Sequence, residues 1–599
     1  MVSVTRENIA NLFSEIEANI TKSAFVCIDT EFSGLTLGGS DVRESRFDTA
    51  SDRYARYRKN IIDASLLQLG IACFMNGPHG PIDDGGGDAD HDHLDDDEPS
   101  YRVVCYNILL APADLGLVAF RPRVLMAEWP AMRFLSSHGF DLNQVVKNGV
   151  SCLRIADVQR LAKFLSPGLC SLKETEFDSD AIRTADRELQ EIRDIVEKSD
   201  QTHDQWDFDS LKSAPLALHW MVREEFPYMW TRPNAWNSLQ AEYVHGERIK
   251  LEKSDRTLET WTVKEAAYAG RIFTTLVEQR KVIVGYQIIQ DILFLIDAFY
   301  SPLPEDYKDV KLLLQDLFPN LYDAKVITQA LSRNEAINFV YHFDAPGLQE
   351  TFKNLTSEEQ AGMFKYAPQL QHDIRHTFYG WEDHSHEAAY DAFMTGTVFI
   401  DCIFAINADI TATEKLKLVQ KPVENPEKRA PFQKDGSQTC HALPPAVLRQ
   451  LPSDVKAVTP YRGILMLHMA ADKHINTLGD DSQAERSKSC VLLSTAPNTP
   501  ILASNEALMA YLESCVHEVR RLSDREVMVA CAGLDRARGF ADHCRRTFKV
   551  DAVIVNSQDH RHKSSQKTGK PDAKLPVVIC GAVFTAVLGY VCQKIALNR

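Results

Sequence analysis

The chain has 599 residues, of which 44% are apolar and 25% charged. That is ordinary globular composition, and it excludes a wholly disordered chain, a collagen and a small disulfide-stapled scaffold. Its 66 basic and 83 acidic residues leave a net charge of −17, which argues against a general nucleic-acid coater but not against an enzyme with a local basic groove and bound metal ions. The 13 cysteines are odd in number and form no C-x-x-C pair, so a reduced, cytosol-facing chain without a zinc ribbon is expected.

The first twenty residues lack a basic stretch followed by an apolar run, so no secretory signal is visible. Residues 24–28, AFVCI, are an apolar run ending at Asp29, which reads as a buried central strand. Residues 66–74 and 101–110 are two more strand candidates. Between them, residues 82–98 hold nine acids among glycines; the expectation there is a solvated insertion rather than a metal or partner site. From about 185 to 275 the sequence turns charged, with apolar spacings of three and four, the pattern of helices. A strand is expected at 281–285, then a helix from about 287 to 300 that stops before Pro302, and another long apolar helix at 387–404. Residues 420–455, with KPVENPEK and LPPAV, read as a linker. Beyond it, strands at 462–469, 488–495, 525–533 and 550–555 alternate with helices at 505–519 and 535–547, the order of a small α/β sandwich. Residues 575–592 carry no charge and as a helix would span about 27 Å, near the hydrocarbon thickness of a bilayer. Arg561, Lys563, Lys567, Lys570 and Lys574 precede them, as the positive-inside rule expects of a tail anchor; the alternative is a buried core element.

The chemistry centres on five residues. Asp29 and Glu31 sit two apart at the end of the first strand, so both carboxylates share one face of the sheet. Acids at the end of an apolar strand are costly without a cationic partner, and hard oxygen ligands suit magnesium or manganese. Asp291 follows Gly285 on a helix leaving a second strand, and Asp391 follows His386 by five residues. This order of D-x-E, D and H-x4-D is the pattern of the histidine variant of the DEDD 3′–5′ exonucleases. Its four carboxylates would hold two metal ions about 4 Å apart, with His386 taking the proton from the attacking water.

Several stretches then carry a family resemblance: FVCIDTEFSGL, RFDTASDRYARYRKNIIDASLLQLGIACF, FDLNQVVKNGVSCL, the segment from VIVGYQIIQD through FYSPLP to YDAKVI, and HEAAYDAFMTGTVFI. Over residues 20–405 the chain resembles the poly(A)-specific ribonuclease family and its membrane-anchored, piRNA-trimming branch. The resemblance implies an α/β, RNase H-like DEDD exonuclease fold in two parts (1–160 and 263–410) split by a helical insertion (161–262). A linker (411–460), a degenerate RNA-recognition-motif-like domain (461–556), a basic linker (557–574) and the transmembrane tail anchor (575–592) would follow. It implies two Mg2+ ions, with Mn2+ as a substitute, on Asp29, Glu31, Asp291 and Asp391, and His386 as general base. Phe32 and Leu35 match positions that pack against terminal bases, and Lys325 matches a lysine near the RNA; core packing and a solvated charge are their alternatives.

The family usually reads G-H-N where this chain has Gly285, Tyr286 and Gln287. The C-terminal strands lack the aromatic pair that stacks bases, which weakens cap and poly(A) selection. Residues 43–59 interleave six basic side chains with Phe47, Tyr54 and Tyr57; they read either as a single-strand RNA path or as a solvated helix face. The implied partners are the 3′ end of single-stranded RNA, a Tudor-domain scaffold, a PIWI protein and the membrane, with a homodimer suggested by the soluble relative. The mitochondrial outer membrane is the favoured location and the endoplasmic reticulum the alternative.

Overall fold

The computed structural model describes residues 2–76 apart from 38; 100–357 apart from 199–204, 209–214, 236–237 and 245; 369–372; 384–419; 457–481; 490–495; 505–514; and 518–555 apart from 532. The acidic stretch 82–98, the linker 420–455, the basic linker 557–574 and the apolar segment 575–592 lie outside the described residues.

The apolar run at 24–28 becomes the inner part of strand β2, with β1 (Val2–Val4) before it and β2 itself covering Phe25–Phe32. Strands β3 (Leu66–Asn76) and β4 (Ser100–Pro112) follow as expected, with β5 (Val150–Cys152) beyond them. After an insertion come β9 (Ile283–Gly285), β10 (Leu321–Asp323) and β11 (Gln369–His372). The sheet order is β1-β4-β3-β2-β9-β10, with β5 and β11 also on β4. β3 runs antiparallel to β2 and β4, whereas β2, β9 and β10 are mutually parallel. This is the RNase H-like mixed sheet that the resemblance implies. Alternation sorts β2 between two cores: Val26 and Ile28 face one cluster, Phe25 and Cys27 the other.

The first cluster lies under helix α1 (Ile9–Lys22), helix α2 (Ala50–Asp63) and the helix Ile289–Leu295. The second lies under the long helix Ala388–Val419. Among the described residues this helix alone has the length and apolarity of a membrane span, yet 94% of its Ala388–Asn407 window is buried inside the protein. It is a core helix, and its apolar character is explained by the sheet it covers. Its closeness to the sheet depends on missing side chains. A Cβ on Gly70 would stand 2.0 Å from the carbonyl carbon of Ala388, and one on Gly396 would stand 2.1 Å from the ring of Phe74. The expected helix at 287–300 is helical throughout, but its second half, Ile296–Tyr300, is a π-helical turn.

The insertion between β5 and β9 is not purely helical, which corrects that expectation. Strands β6 (Gln205–Phe208), β7 (Met229–Ala235) and β8 (Ser238–Tyr243) form an antiparallel sheet of order β6-β8-β7. Pro233 disguises β7 as a loop in the sequence, but β7 is an edge strand, where a missing N–H donor is tolerated. The helix Thr257–Glu278 returns from the insertion to the main sheet. Burial pushes the Glu265 carboxyl on it up to about 7, against the pull of Arg6 and Lys264. Because the folded value lies above the unfolded one, Glu265 contributes stability that is full below about 4.5 and lost as pH rises through about 7. Glu265→Gln is therefore expected to flatten that part of the stability-versus-pH curve. Urea melts at pH 4.5, 6 and 8 check this, and an unchanged slope would refute it.

The C-terminal part differs in extent from the expected sandwich. The segment at 462–469 forms strand β12 (Ile464–Met466), which pairs with β13 (His474–Asn476) as a separate hairpin. Its Leu465, Leu467 and Ile475 are buried in the nuclease core. The sandwich proper begins at β14 (Cys490–Ser494) and continues with the helix Glu506–Ser514, β15 (Glu518–Ser523), β16 (Glu526–Ala530), the helix Leu534–Phe548 and β17 (Asp551–Val555). Its order is β15-β16-β14-β17, all antiparallel, a β-α-β-β-α-β ferredoxin-like topology.

The other face of this sheet is covered by the chain itself. Phe47 packs there against Cys490, Met528 and Ala530, with the Arg520 guanidinium 4.4 Å from its ring centroid. The Glu518 carboxylate accepts from the Ser45 hydroxyl and the Arg46 amide. Arg53, fully buried, pairs with Asp48 and Glu44 and donates to the carbonyls of His468 and Met469. Arg53, Phe47, Tyr54 and Tyr57 therefore serve packing, and the RNA-path reading of 43–59 does not hold for them.

Candidate active site

Asp29 and Glu31 project from β2 toward the long helix, and Asp391 projects from that helix's first turn. One oxygen from each lies within 4.8 Å of the others. All three residues are buried, at 7%, 5% and 4% exposure. Carboxylates this close and this dry repel one another as anions. A divalent cation is the partner such hard, anionic oxygen donors fit.

Asp291 lies outside that trio but at the same strand end. It sits in the first turn of the helix Ile289–Leu295 and accepts a 2.5 Å hydrogen bond from the hydroxyl of Thr30, the residue between Asp29 and Glu31. The turn leading into this helix is pinned by Asp323, which sequence reasoning missed. Gln287 adopts φ +60° and donates its amide to Asp323 Oδ1, which also accepts from the Lys325 amide; Oδ2 accepts from the Met466 amide. Full burial pushes the Asp323 carboxyl up to about 6, against these three backbone donors. The signal in the sequence was an acid closing a short apolar strand and capping the next helix, Ala324–Ser332.

His386 is buried with φ +71°, and its amide donates to Asp391 Oδ1 at 3.1 Å. Its ring lies 4.8 Å from that of Phe134 and 4.3 Å from that of His138. Both belong to, or directly follow, helix α3 (Trp129–Ser137). The Nδ1 of His138 is 2.9 Å from the Phe134 carbonyl, which only accepts, so that nitrogen carries the proton. The start of the long helix is tied to the sheet by the Ala388 amide on Gln68 and by Asn107 on Glu387.

Glu128, just before α3, is a second residue that sequence reasoning missed. Its carboxylate accepts from the Leu35 amide and from both the amide and hydroxyl of Thr36. It thereby fixes the loop after the D-x-E motif. Leu35 is half-buried in that loop. Phe32 stacks on Phe294 with ring centroids 4.2 Å apart. Lys325 is buried, and its ammonium donates to the Tyr286 hydroxyl and the Pro346 carbonyl. The structure thus brings Asp29, Glu31 and Asp391 together, sets His386 beside Asp391, leaves Asp291 outside the trio on the Thr30 hydroxyl, and holds Phe32 and Lys325 in internal contacts.

A mixed sheet of this order, with acids clustered at the end of its central strand and on the covering helix, defines a nuclease of the RNase H-like class. The chain belongs to the CAF1 family of ribonucleases, whose sequence profile matches residues 4–399. Its relatives include the pre-piRNA 3′-exonuclease trimmer of Bombyx mori, 23% identical over 407 residues, or 67% of this chain and 70% of that one. The poly(A)-specific ribonuclease PNLDC1 of Mus musculus is 22% identical over 548 residues, 90% of each chain. The poly(A)-specific ribonuclease PARN of Danio rerio is 22% identical over 442 residues, 67% of this chain and 59% of that one. Among solved structures, Pop2p of S. pombe in its Mg2+- and Mn2+-bound form matches with a TM-score of 0.30 and 12% identity, covering 67% of this chain and 90% of that one.

Proposed function

We propose that this protein is a Mg2+-dependent 3′–5′ exoribonuclease that shortens single-stranded RNA and releases nucleoside 5′-monophosphates. The observation that carries the reading is the buried acid trio with His386 beside it. Asp29, Glu31, Asp291 and Asp391 would hold two divalent cations. Such ions, when bound, supply a polarised water and charge stabilisation at the leaving 3′ oxygen. His386 would accept the proton of the attacking water, with its ring kept in place by Phe134 and His138.

Trimming of PIWI-bound precursor piRNAs is preferred over poly(A) removal. The similarity to the pre-piRNA 3′-exonuclease trimmer of Bombyx mori supports it. So does the C-terminal unit, which we read as a degenerate RNA-recognition motif: Phe47, not a base, lies on its sheet. A tail anchor at 575–592, on the mitochondrial outer membrane or the endoplasmic reticulum, would hold the enzyme near a Tudor-domain scaffold and raise its local concentration there. A homodimer through the nuclease domain belongs to the same reading.

Residues 1–560 with Mg2+ and 5′-labelled RNAs, one ending in poly(A) and one of mixed sequence, test the activity. A ladder shrinking from the 3′ end and abolished by EDTA is expected, at equal rates on the two RNAs. Strong poly(A) preference would favour deadenylation instead. A chain inert both alone and with a PIWI-bound RNA plus scaffold would be a non-catalytic tether. His386→Ala is expected to slow cleavage by about 10²- to 10⁴-fold while Mg2+ still raises the melting temperature. Loss of that metal response would move His386 from proton transfer to metal binding.

A further inference from the structure

Two parts of the chain far apart in sequence meet at one carboxylate. Asp323 closes β10 opposite Gly285, the last residue of β9. Its Oδ1 accepts from the amides of Gln287 at 2.9 Å and Lys325 at 3.0 Å, and its Oδ2 from the amide of Met466 at 2.9 Å. Asp323 is fully buried, so solvent does not replace a lost partner. Gln287 holds φ +60°. A long side chain on a non-glycine residue rarely adopts that region, so the turn needs an external hold, and the Asp323 oxygen supplies it. The turn opens directly into the helix Ile289–Leu295, whose first turn carries Asp291. The aim of Asp291 therefore depends on Asp323.

The β12–β13 hairpin that supplies the Met466 amide is anchored on the nuclease body from three sides. The Gly463 amide donates to the Leu321 carbonyl of β10. Asp472 accepts from the Ala50 amide at the start of α2. Asp481, just past the hairpin, accepts from the Tyr307 hydroxyl and pairs with Lys311. With Leu465, Leu467 and Ile475 sunk in the nuclease core, Met466 is a fixed donor. The family profile ends at residue 399, so this donor comes from outside the matched nuclease segment.

We propose that Asp323 is a positioning residue that links the β12–β13 hairpin to Asp291, so that the chain beyond the linker completes the metal site of the nuclease. The proposal rests on the metal-dependent exonuclease reading. In it, Asp323 is not a metal ligand and acts through the Gln287 turn. The hairpin is then a working part of the enzyme rather than a spacer before the ferredoxin-like unit.

The test uses the full chain in detergent. Mn2+ binding is followed by loss of the free-ion paramagnetic resonance signal, with Mg2+-dependent cleavage of a mixed-sequence RNA scored beside it. Asn at position 323 has one acceptor oxygen, so it can serve the Gln287 and Lys325 amides or the Met466 amide, but not both sides. Asp323→Asn is expected to weaken Mn2+ binding by about 10- to 100-fold and to slow cleavage by about a hundredfold, the scale of a misplacement of about 1 Å. Adding Gln287→Asn, which takes positive φ more readily, is expected to recover part of the Mn2+ affinity. Ile475→Val trims the same hairpin without touching the Asp323 bonds; it is expected to lower the melting temperature and leave Mn2+ affinity at the parent's value. Should Asp323→Asn not fold, Gln287→Val strains the same turn through a β-branched side chain and is expected to weaken Mn2+ binding likewise. Unchanged Mn2+ binding in the variants at 323 or 287, no recovery with Gln287→Asn, or equal weakening by Ile475→Val would overturn the proposal and make Asp323 a general stabiliser. A parent that binds no Mn2+ would overturn the exonuclease reading itself, and the proposal with it.

Discussion

Asp29→Asn is expected to lower the rate of 3′-end shortening by about a thousandfold, while leaving the metal-free protein at least as heat-stable as its parent. The two effects have one cause. Asp29, Glu31 and Asp391 present oxygens within 4.8 Å of one another in a buried site. Without metal, that proximity is repulsive, and removing one charge relieves it. With metal, the same charge is part of the binding energy, so Mg2+ should stabilise the parent strongly and the variant weakly. Single-turnover cleavage and thermal melts with Mg2+ or EDTA measure both. A variant that cleaves normally would remove the trio from the chemistry. One that melts well below its parent in EDTA would make Asp29 a structural residue instead.

Much of this site was legible because it is written in local patterns. Period two alone put Asp29 and Glu31 on one face of β2, and the apolar run before them made that strand central. The H-x4-D spacing placed His386 and Asp391 together at a helix start, where the His386 amide does meet the Asp391 carboxylate. What escaped was set by partners distant in sequence. Glu128 holds Leu35 and Thr36 from 92 or more positions away, and Asp323 joins three backbone amides, that of Met466 among them. No periodicity marks such partners. The basic and aromatic residues of 43–59 misled for the same reason. Their composition suits an RNA path, but Arg53 and Phe47 are buried by residues 468–530, which the local sequence does not reveal. The apolar stretch 387–404 shows the reverse ambiguity. It is a core helix that composition alone does not separate from a membrane span.

Gly70 was readable but unread. A glycine inside the strand LLQLGIACF is a sign of close backbone approach, and here the approaching backbone leads to Asp391. Gly70 pairs with Asp29 across β2 and β3. A Cβ there would stand 2.0 Å from the carbonyl carbon of Ala388, 2.1 Å from its carbonyl oxygen and 2.3 Å from the amide of Ala389. These are backbone atoms at the start of a helix clamped by Gln68, so they cannot rotate away. Gly70→Ala must push that helix end off the sheet, and Asp391 moves with it. Overpacking of this kind costs about 1–3 kcal/mol and more when backbone must shift, and a misplacement of about 1 Å costs about a hundredfold in rate. The expected result is a folded but destabilised enzyme with at least that loss, and a weaker Mg2+ dependence of melting. Gly539 is the internal contrast: it is helical, and a Cβ added there would meet nothing within 4 Å. Gly539→Ala is therefore expected to stabilise by about 0.5–1 kcal/mol and to leave the rate unchanged. Equal effects at the two positions would show that the close approach of helix to sheet at Gly70 does not set the geometry of the acid trio.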